Sequence, residues 1–473
     1  MSLPTIIQGG MGVAVSNWRL ARTVSQLGQL GVVSGTIIGL VCARRLQQGD
    51  PGGHIQRALT HFPIPAMAER VVRTFFVSGG KAAETPFKAV PMPGVSPSAA
   101  WTELNVVGSF AEVYLAREGH DRPVGINLLE KIQVATLASL FGAMLAGVGY
   151  VIMGAGIPRF IPGALDRFAA GEAAELKVDV EGSPTPEATV SRFDPKAFFA
   201  GHGPAPRLER PRFLAIVSSA TLALTLARKS NGRVDGFVIE SELAGGHNAP
   251  PRGPLQLSDS GEPVYGPRDV PDLGKIAELG LPFWLAGSRA DPEGLAEARR
   301  LGATGIQVGT AFAFCEESGI DPEIKRQVLR MAREGRASVF TDPLASPTGF
   351  PFKVLRMPGT LSEAADYQAR ERVCDLGYLR QAYTRDDGTL GYRCPAEPGA
   401  DFERKGGAAS ELVGRKCLCN GLLATVGLGQ VRPGSGAEQP IITAGDEVAR
   451  VARFLPEGAE SYSDADVVRH LLS

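Results

Sequence analysis

The residues best suited to chemistry stand at the end of one short apolar run. Gly236-Phe-Val-Ile239 leads into Glu240, and Gly245, Gly246 and His247 follow shortly after. A β-branched and aromatic run bounded by turn residues is typical of a buried strand. Paired glycines beyond a strand let the backbone approach a bulky group, and a histidine there exchanges protons near neutral pH. The alternative is a strand that ends in a flexible turn with an incidental histidine.

Seven further apolar runs have the same form, and each is followed by glycine or polar residues. The eight predicted strands cover residues 4–12, 31–35, 123–129, 150–153, 213–219, 236–240, 281–288 and 304–310. Helical patterns separate most of them, and regular β/α alternation implies a parallel sheet. Eight such units favour a (β/α)8 TIM barrel, whose sites lie at the carboxyl ends of the strands. A doubly wound sheet is the alternative.

The rest of the chain is expected to be additions to this barrel. We assign residues 1–345 to the barrel, with insertions at about 41–120 and 159–210. Residues 346–473 show no β/α alternation, so we predict a mainly helical or irregular C-terminal extension packed on the barrel. Ser16 is the expected N-cap of the first helix.

The composition excludes several classes of protein. Hydrophobic residues make up 44% and charged residues 21% of the 473 residues, which is typical of a globular protein. The net charge is −1 without blocks of like charge, so neither a nucleic-acid nor a membrane surface is expected. The stretch 132–158 carries no charge, but its glycines indicate a buried helix and strand rather than a membrane span. The N-terminus lacks the pattern of a signal peptide, and we expect a cytoplasmic protein.

The last two predicted strands end in a matched pair of glycine turns. Ala286-Gly-Ser288 and Val308-Gly-Thr310 each precede a helical segment. Backbone N–H groups at glycine turns and helix N-termini bind anions, and phosphate sites are common after strands 7 and 8 of such barrels. Gly287, Ser288, Gly309 and Thr310 are therefore candidate phosphate-binding residues. The alternative is that tight barrel turns need glycine in any case.

Five motifs in matching order resemble the nitronate monooxygenase (2-nitropropane dioxygenase) family. They are Gln8-Gly-Gly-Met11, Ile126-Asn127, Glu240 with Gly245-Gly-His247, Leu285-Ala-Gly287 and Gly305-Ile-Gln-Val-Gly-Thr310. The resemblance covers about residues 4–315, and flavin-dependent enoyl-acyl-carrier-protein reductases share the superfamily. It implies an FMN-binding TIM barrel.

The resemblance also implies roles for individual residues. His247 would be the active-site histidine beside substrate and flavin, and Gly287, Ser288, Gly309 and Thr310 would hold the phosphate. The remaining cofactor-binding candidates are Gln8, Gly9, Gly10, Met11, Asn127, Ser218, Glu240, Gly245 and Gly246. The sequence departs from many relatives after the histidine, where Asn248-Ala-Pro-Pro251 replaces a glycine, so we expect a reshaped substrate pocket.

The expected function is an FMN-dependent oxidoreductase that oxidises a small anionic nitronate-like substrate with O2. A first alternative is an NAD(P)H-dependent flavin reductase of enoyl-thioester or quinone substrates, in which the pyridine nucleotide docks transiently as reductant. A second alternative is a non-catalytic, barrel-containing assembly subunit. Neither a nucleic-acid nor a membrane partner is expected, and a homodimer is left open.

The extension carries a group of cysteines that needs its own interpretation. Cys374, Cys394, Cys417 and Cys419 fall within 46 residues, and the last two form Cys-Leu-Cys. Four thiolates can bind Zn²⁺ or an iron–sulfur cluster. Because the usual Cys-x2-Cys spacing is absent, we expect no metal and favour reduced structural thiols. A metal site at these four cysteines is the less favoured alternative.

Overall fold

Across residues 3–183 and 189–473, the computed structural model of this chain contains one barrel of eight parallel strands. The strands are β1 (Ile6–Gln8), β2 (Gly31–Ser34), β3 (Val124–Leu129), β4 (Tyr150–Gly154), β5 (Arg212–Val217), β6 (Gly236–Glu240), β7 (Phe283–Ala286) and β8 (Gly305–Val308). From β2 to β8 each strand pairs with the next one in sequence, and β8 pairs with β1. A parallel bridge between Ile7 and Leu30 joins β1 to the start of β2. The predicted (β/α)8 barrel is confirmed, and the doubly wound alternative is wrong.

The strands are apolar on both faces because both faces are covered. Alternate side chains such as Val238 and Trp284 pack inside the barrel, where the Trp284 indole N–H donates to the Pro4 carbonyl oxygen at 2.8 Å. Their neighbours, including Phe237 and Phe283, join the core between strands and helices. This period of two fixes which side chains fill the barrel and which hold its helices.

Helices surround the barrel in the expected alternation. They are Trp18–Gln26, Ala99–Arg117, Gln133–Leu145, Ile161–Ala169, Ala220–Lys229, Leu273–Ala277, Pro292–Arg300 and Asp464–Leu471. The last of these comes from the C-terminal end of the chain and packs between the first and the seventh. The Thr23 hydroxyl donates to the Asp464 carboxylate there. The barrel wall is therefore completed by residues that we assigned to the extension, and the division at residue 345 stays a prediction.

Two stretches lengthen the connections between strands. Between β2 and β3 lie helices Ile38–Gln47, His54–Leu59 and Pro65–Phe75, and between β4 and β5 lies the antiparallel pair Ala174–Lys177 and Val190–Phe193, followed by helix Pro195–Phe198. Both predicted insertions also contain a helix of the barrel wall, Ala99–Arg117 and Ile161–Ala169. Part of the second insertion, residues 184–188, lies outside the described residues.

The uncharged stretch 132–158 forms helix Gln133–Leu145 and strand β4, in agreement with the prediction. In the ranges that the structure describes, no helix has both the length and the apolar character needed to cross a membrane.

The chain after β8 is more varied than the expected helical or irregular extension. Three antiparallel strand pairs occur, Val339–Asp342 with Phe352–Leu355, Gln381–Thr384 with Leu390–Arg393, and Val431–Arg432 with Gly436–Ala437; Val180–Glu181 extends the second. The helices are Thr310–Ala313, Pro322–Arg333, Ala364–Ala369, Gly399–Arg404 and Leu418–Thr425, with 3-10 helices Ala409–Leu412 and Asp446–Phe454. Val448, Val451 and Phe454 enter the barrel's hydrophobic core, which fixes this segment on the barrel.

Candidate active site

A cavity opens at the carboxyl ends of the barrel strands and has an empty volume of about 1370 Å³, counted to its open mouth. The structure brings most of the candidate residues together in its lining: Gly9, Gly10, Met11, Asn127, Glu240, Gly245, Gly246, His247, Gly287, Ser288, Gly309 and Thr310. Gln8 and Ser218 are not part of that lining. These loops, which are far apart in sequence, thus line one continuous cavity.

Gln8 supports the loop that lines the cavity without lining the cavity itself. Its side chain is fully buried, its Oε1 accepts from the Val32 N–H at 2.9 Å, and its Nε2 donates to Ser16 Oγ at 2.8 Å. Ser16 Oγ also accepts from the Met11 N–H at 2.9 Å. Ser16 is thus not the helix N-cap that we expected, since Asn17 accepts the first helical N–H groups instead. The two side chains hold the β1 loop against β2.

One side of the cavity offers hydrogen-bond acceptors. Asn127 Nδ2 donates to the Gly10 carbonyl oxygen at 2.7 Å. This hydrogen bond leaves the other end of the amide group, Oδ1, without a role in it. Among the residues that the structure describes, Asn127 Oδ1 and Gln307 Oε1 are buried without a hydrogen-bond partner. A buried acceptor without a donor costs free energy. This side therefore fits a ligand that carries N–H or O–H groups.

Another part of the cavity suits an anion. Gly287 and Ser288 have consecutive positive φ angles of 106° and 47°, a turn that exposes backbone N–H groups. Ser288 Oγ is buried and, within the described ranges, has no partner. Thr310 Oγ1 accepts from the Gly445 N–H at 2.9 Å, so its hydroxyl proton can go to a ligand. Arg289 also lines the cavity, and its guanidinium is paired with Glu297 at 2.7 Å.

His247 is held at the cavity by residues from beyond the barrel strands. Its Nε2 lies 2.7 Å from Oγ of the fully buried Ser346, and its ring packs edge-on against Phe352 with centroids 4.8 Å apart. Burial lowers the pKa of His247 to about 4. The imidazole is therefore neutral near pH 7, and it can donate or accept a hydrogen bond but does not supply a positive charge.

Glu240 is an acidic residue of the site, as is Glu447. Glu240 is half-buried at the end of β6, and burial raises its pKa to about 8. The carboxyl group is therefore mostly protonated at pH 7. A neutral carboxyl group in a cavity can donate a hydrogen bond, which an ionised one cannot do.

Sequence reasoning missed the residues that line the cavity from beyond position 345: Phe352, Leu422, Thr443, Ala444 and Glu447. The glycine pair before His247 makes room for this segment. The Gly246 N–H donates to Thr443 Oγ1 at 2.9 Å, and a Cβ on Gly245 would lie 2.7 Å from the carbonyl carbon of Ala444. A signal existed, because Ile441-Ile442-Thr443-Ala444-Gly445 is an apolar run ending in glycine, like the strand ends.

Glu447 braces the anion-binding part of the cavity. It is buried, with ion pairs of 2.6 Å to Arg453 and 3.3 Å to Arg450. Arg453 also donates to the Ala290 carbonyl oxygen, at the end of the β7 loop. This network ties the segment after residue 440 to the turn that contains Ser288.

The barrel and its cavity together define a (β/α)8 protein built to hold a ligand with an anionic group at one part and hydrogen-bond donors at another. Comparison of the sequence with known proteins relates part of this barrel to one protein family. Residues 206–343 match the family model described as nitronate monooxygenase. The part of the barrel from β5 to β8 is therefore similar to the nitronate monooxygenase family.

Individual relatives are similar to parts of this chain. A nitronate monooxygenase of Paraburkholderia phytofirmans is 31% identical over 191 residues, which cover 38% of this chain and 47% of the relative. A (3aS,4S,5R,7aS)-5-hydroxy-7a-methyl-1-oxo-octahydro-1H-indene-4-carboxyl-CoA dehydrogenase of Mycobacterium tuberculosis is 30% identical over 122 residues, covering 26% of this chain and 30% of the relative. The chain thus spans less than half the length of either curated relative. The solved structure of FabK from Thermotoga maritima superposes with a TM-score of 0.48 at 17% identity, covering 99% of this chain and 91% of that one.

Proposed function

We propose that this chain is an FMN-dependent oxidoreductase of the nitronate monooxygenase type, which oxidises a small anionic nitronate-like substrate with O2. The observation that carries the proposal is the set of buried polar atoms without partners in one cavity: Asn127 Oδ1, Gln307 Oε1 and Ser288 Oγ. They match a ligand with both donor groups and an anionic end, and FMN is such a ligand.

The residues present fit FMN by their chemistry. Gly287, Ser288, Gly309 and Thr310 would hold the phosphate, because glycine turns and hydroxyl groups suit an anion. The Gly9–Met11 loop, Asn127 and Gln307 would contact the ring and the ribityl chain, and Gln8 would act through the loop that it supports. When bound, the flavin would supply the electron-transfer chemistry, while the protein supplies orientation and electrostatics.

His247 is the residue that we assign to the substrate. Since Ser346 engages Nε2, the substrate would use Nδ1. A neutral imidazole can donate one hydrogen bond to a nitronate oxygen or accept a proton from a substrate carbon acid. Phe352 and Leu422 cover the cavity with apolar surface and would exclude water from the reacting groups. The protonated Glu240 would donate a further hydrogen bond.

A reductase of thioester substrates is the second candidate. It is favoured by the similarity to the carboxyl-CoA dehydrogenase of Mycobacterium tuberculosis, whose name includes a CoA thioester. In such a reaction NAD(P)H would reduce the flavin before the organic substrate binds.

One comparison separates the two candidates. Oxygen uptake is measured with propyl-2-nitronate, and anaerobic bleaching of the flavin absorbance is measured with NADH and with NADPH. The proposal predicts rapid oxygen uptake with the nitronate and slow bleaching by either nucleotide. Fast bleaching without nitronate-dependent oxygen uptake would favour the reductase. His247→Ala should lose turnover but keep FMN, and full turnover in that variant would remove the proposed role of the histidine.

A further inference from the structure

The four cysteines that are scattered in the sequence of the extension meet in the fold. Cys374, Cys394, Cys417 and Cys419 line one small cavity, separate from the barrel cavity, with an empty volume of about 290 Å³ counted to its open mouth. Cys394 and Cys417 form a buried cluster with Ala396, and Cys374 packs against it. All four are free thiols. Thiols from three separate stretches of the chain therefore share one cavity.

Backbone N–H groups surround these sulfurs. The sulfur of Cys374 faces the N–H of Gly377, that of Cys394 the N–H of Ala396, that of Cys417 the N–H of Asn420, and that of Cys419 the N–H groups of Tyr378 and Leu379. Asn420 Nδ2 also donates to Cys417 Sγ at 3.5 Å. Hydrogen bonds to sulfur are the usual second layer around metal-bound thiolates, where they stabilise negative charge.

Two cations stand beside the thiols. The Arg380 guanidinium interacts electrostatically with Cys374, and Arg370 with Cys417. Arg370 is held in place by an ion pair of 2.6 Å with Glu438. A centre with four thiolates carries net negative charge, and buried negative charge requires compensation. Arg380 would provide part of it, since Arg370 is already paired with Glu438 and the Glu397 carboxylate also acts on Cys374.

A single ion and a cluster require different arrangements of their ligands. In the described ranges, no group of three or more His, Cys, Asp or Glu side chains is arranged to hold one metal ion. An iron–sulfur cluster has a different requirement, since its thiolates surround an inorganic core instead of converging on one atom. We propose that Cys374, Cys394, Cys417 and Cys419 ligate an iron–sulfur cluster. This goes beyond the proposed flavin function and does not depend on it.

The position of this cysteine site relates it to the barrel cavity. Helix Leu418–Thr425 carries Cys419, and Leu422 of the same helix lines the barrel cavity. Residues three apart lie within one helical turn, a rise of about 5 Å. The cluster would therefore lie one helical turn from the cavity in which we place the flavin.

The test uses the full chain, purified without oxygen and analysed for iron, acid-labile sulfide and zinc. The expected result is iron and sulfide in near-equal amounts, with a fast-relaxing low-temperature EPR signal after reduction by dithionite. Such a signal is distinct from a flavin radical, so flavin content does not decide the outcome. The variant Cys417→Ser/Cys419→Ser should lose iron, sulfide and signal, whereas Cys42→Ser, a buried cysteine elsewhere, should retain them.

Three results would overturn the proposal. The first is stoichiometric zinc without iron in the wild-type protein. The second is iron and sulfide retained by the folded double variant. The third is a wild-type protein that takes up neither iron nor sulfide after anaerobic reconstitution with ferrous iron and sulfide. This reconstitution experiment decides the question even if the double variant does not fold.

Discussion

Glu240 gives the site a dependence on pH that can be measured in the flavin-free protein. Burial raises its pKa from 4.5 to about 8, so the folded protein holds this proton more tightly than the unfolded chain does. Between these two values, the free energy of unfolding falls as the pH rises, because ionisation favours the unfolded chain. Glu240→Gln keeps the size of the side chain but cannot ionise. The variant should therefore lack this dependence of stability on pH.

The size of the effect follows from linkage. Each pH unit inside that window is worth about 1.4 kcal/mol, so the wild type would lose at most about 2.7 kcal/mol between pH 6 and pH 8. Glu240 is half-buried, and solvent screening reduces this limit to about 1 to 2 kcal/mol. Other buried acids, such as Asp464 with its pKa raised to about 7, contribute equally to both proteins and cancel in the difference.

The assay is urea denaturation of the flavin-free wild type and of Glu240→Gln at pH 6, 7 and 8. We expect the variant to gain stability over the wild type steadily as the pH rises. The exposed Glu278→Gln serves as the matched control, and its difference from the wild type should not change with pH. A constant difference between Glu240→Gln and the wild type would refute the argument that Glu240 is held protonated by burial.

Three further predictions concern the cavity. Ser346→Ala removes the partner of His247 Nε2 and should lower kcat/KM about tenfold, which corresponds to the free energy of one hydrogen bond. The FMN content should stay unchanged, and Ser346→Thr should recover the activity. Unchanged kinetics in Ser346→Ala would exclude a positioning role for Ser346. The wild-type pH–rate profile should show no titration of His247 near pH 6.5, because burial lowers its pKa to about 4. A change in rate near pH 6.5 that disappears in His247→Ala would contradict this prediction. Gly287→Ala places a Cβ 2.1 Å from Ser241 Oγ at a φ of 106°. The FMN affinity, measured by fluorescence quenching, should therefore fall at least about tenfold. Gly302→Ala is the control and should leave the affinity unchanged, because Gly302 also has a positive φ but no atom lies near its Cβ position.

The barrel was predictable because its signal is local. Each strand is a short apolar run that ends in glycine or a polar residue, and such runs indicate buried parallel strands wherever they stand in the sequence. The same local signal identified the cavity from the strand ends, including Asn127, Glu240 and the turns at Gly287 and Gly309.

The rest of the site depends on contacts between residues far apart in the chain. Ser346 has no pattern that links it to His247, 99 positions away. Helix Asp464–Leu471 looks like any amphipathic helix, and only packing against Trp18–Gln26 shows that it closes the barrel wall. Gln8 belongs to a recognisable motif, but its burial and its bond to Ser16 reveal that it shapes the loop instead of lining the cavity.

The flavin content of the purified chain tests the central claim most directly. The account predicts a yellow protein that releases FMN on denaturation, close to one per chain, and that binds FMN again after its removal. A colourless protein that cannot be reconstituted with FMN would contradict it, because the unpartnered Asn127, Gln307 and Ser288 atoms would then have to serve a different ligand.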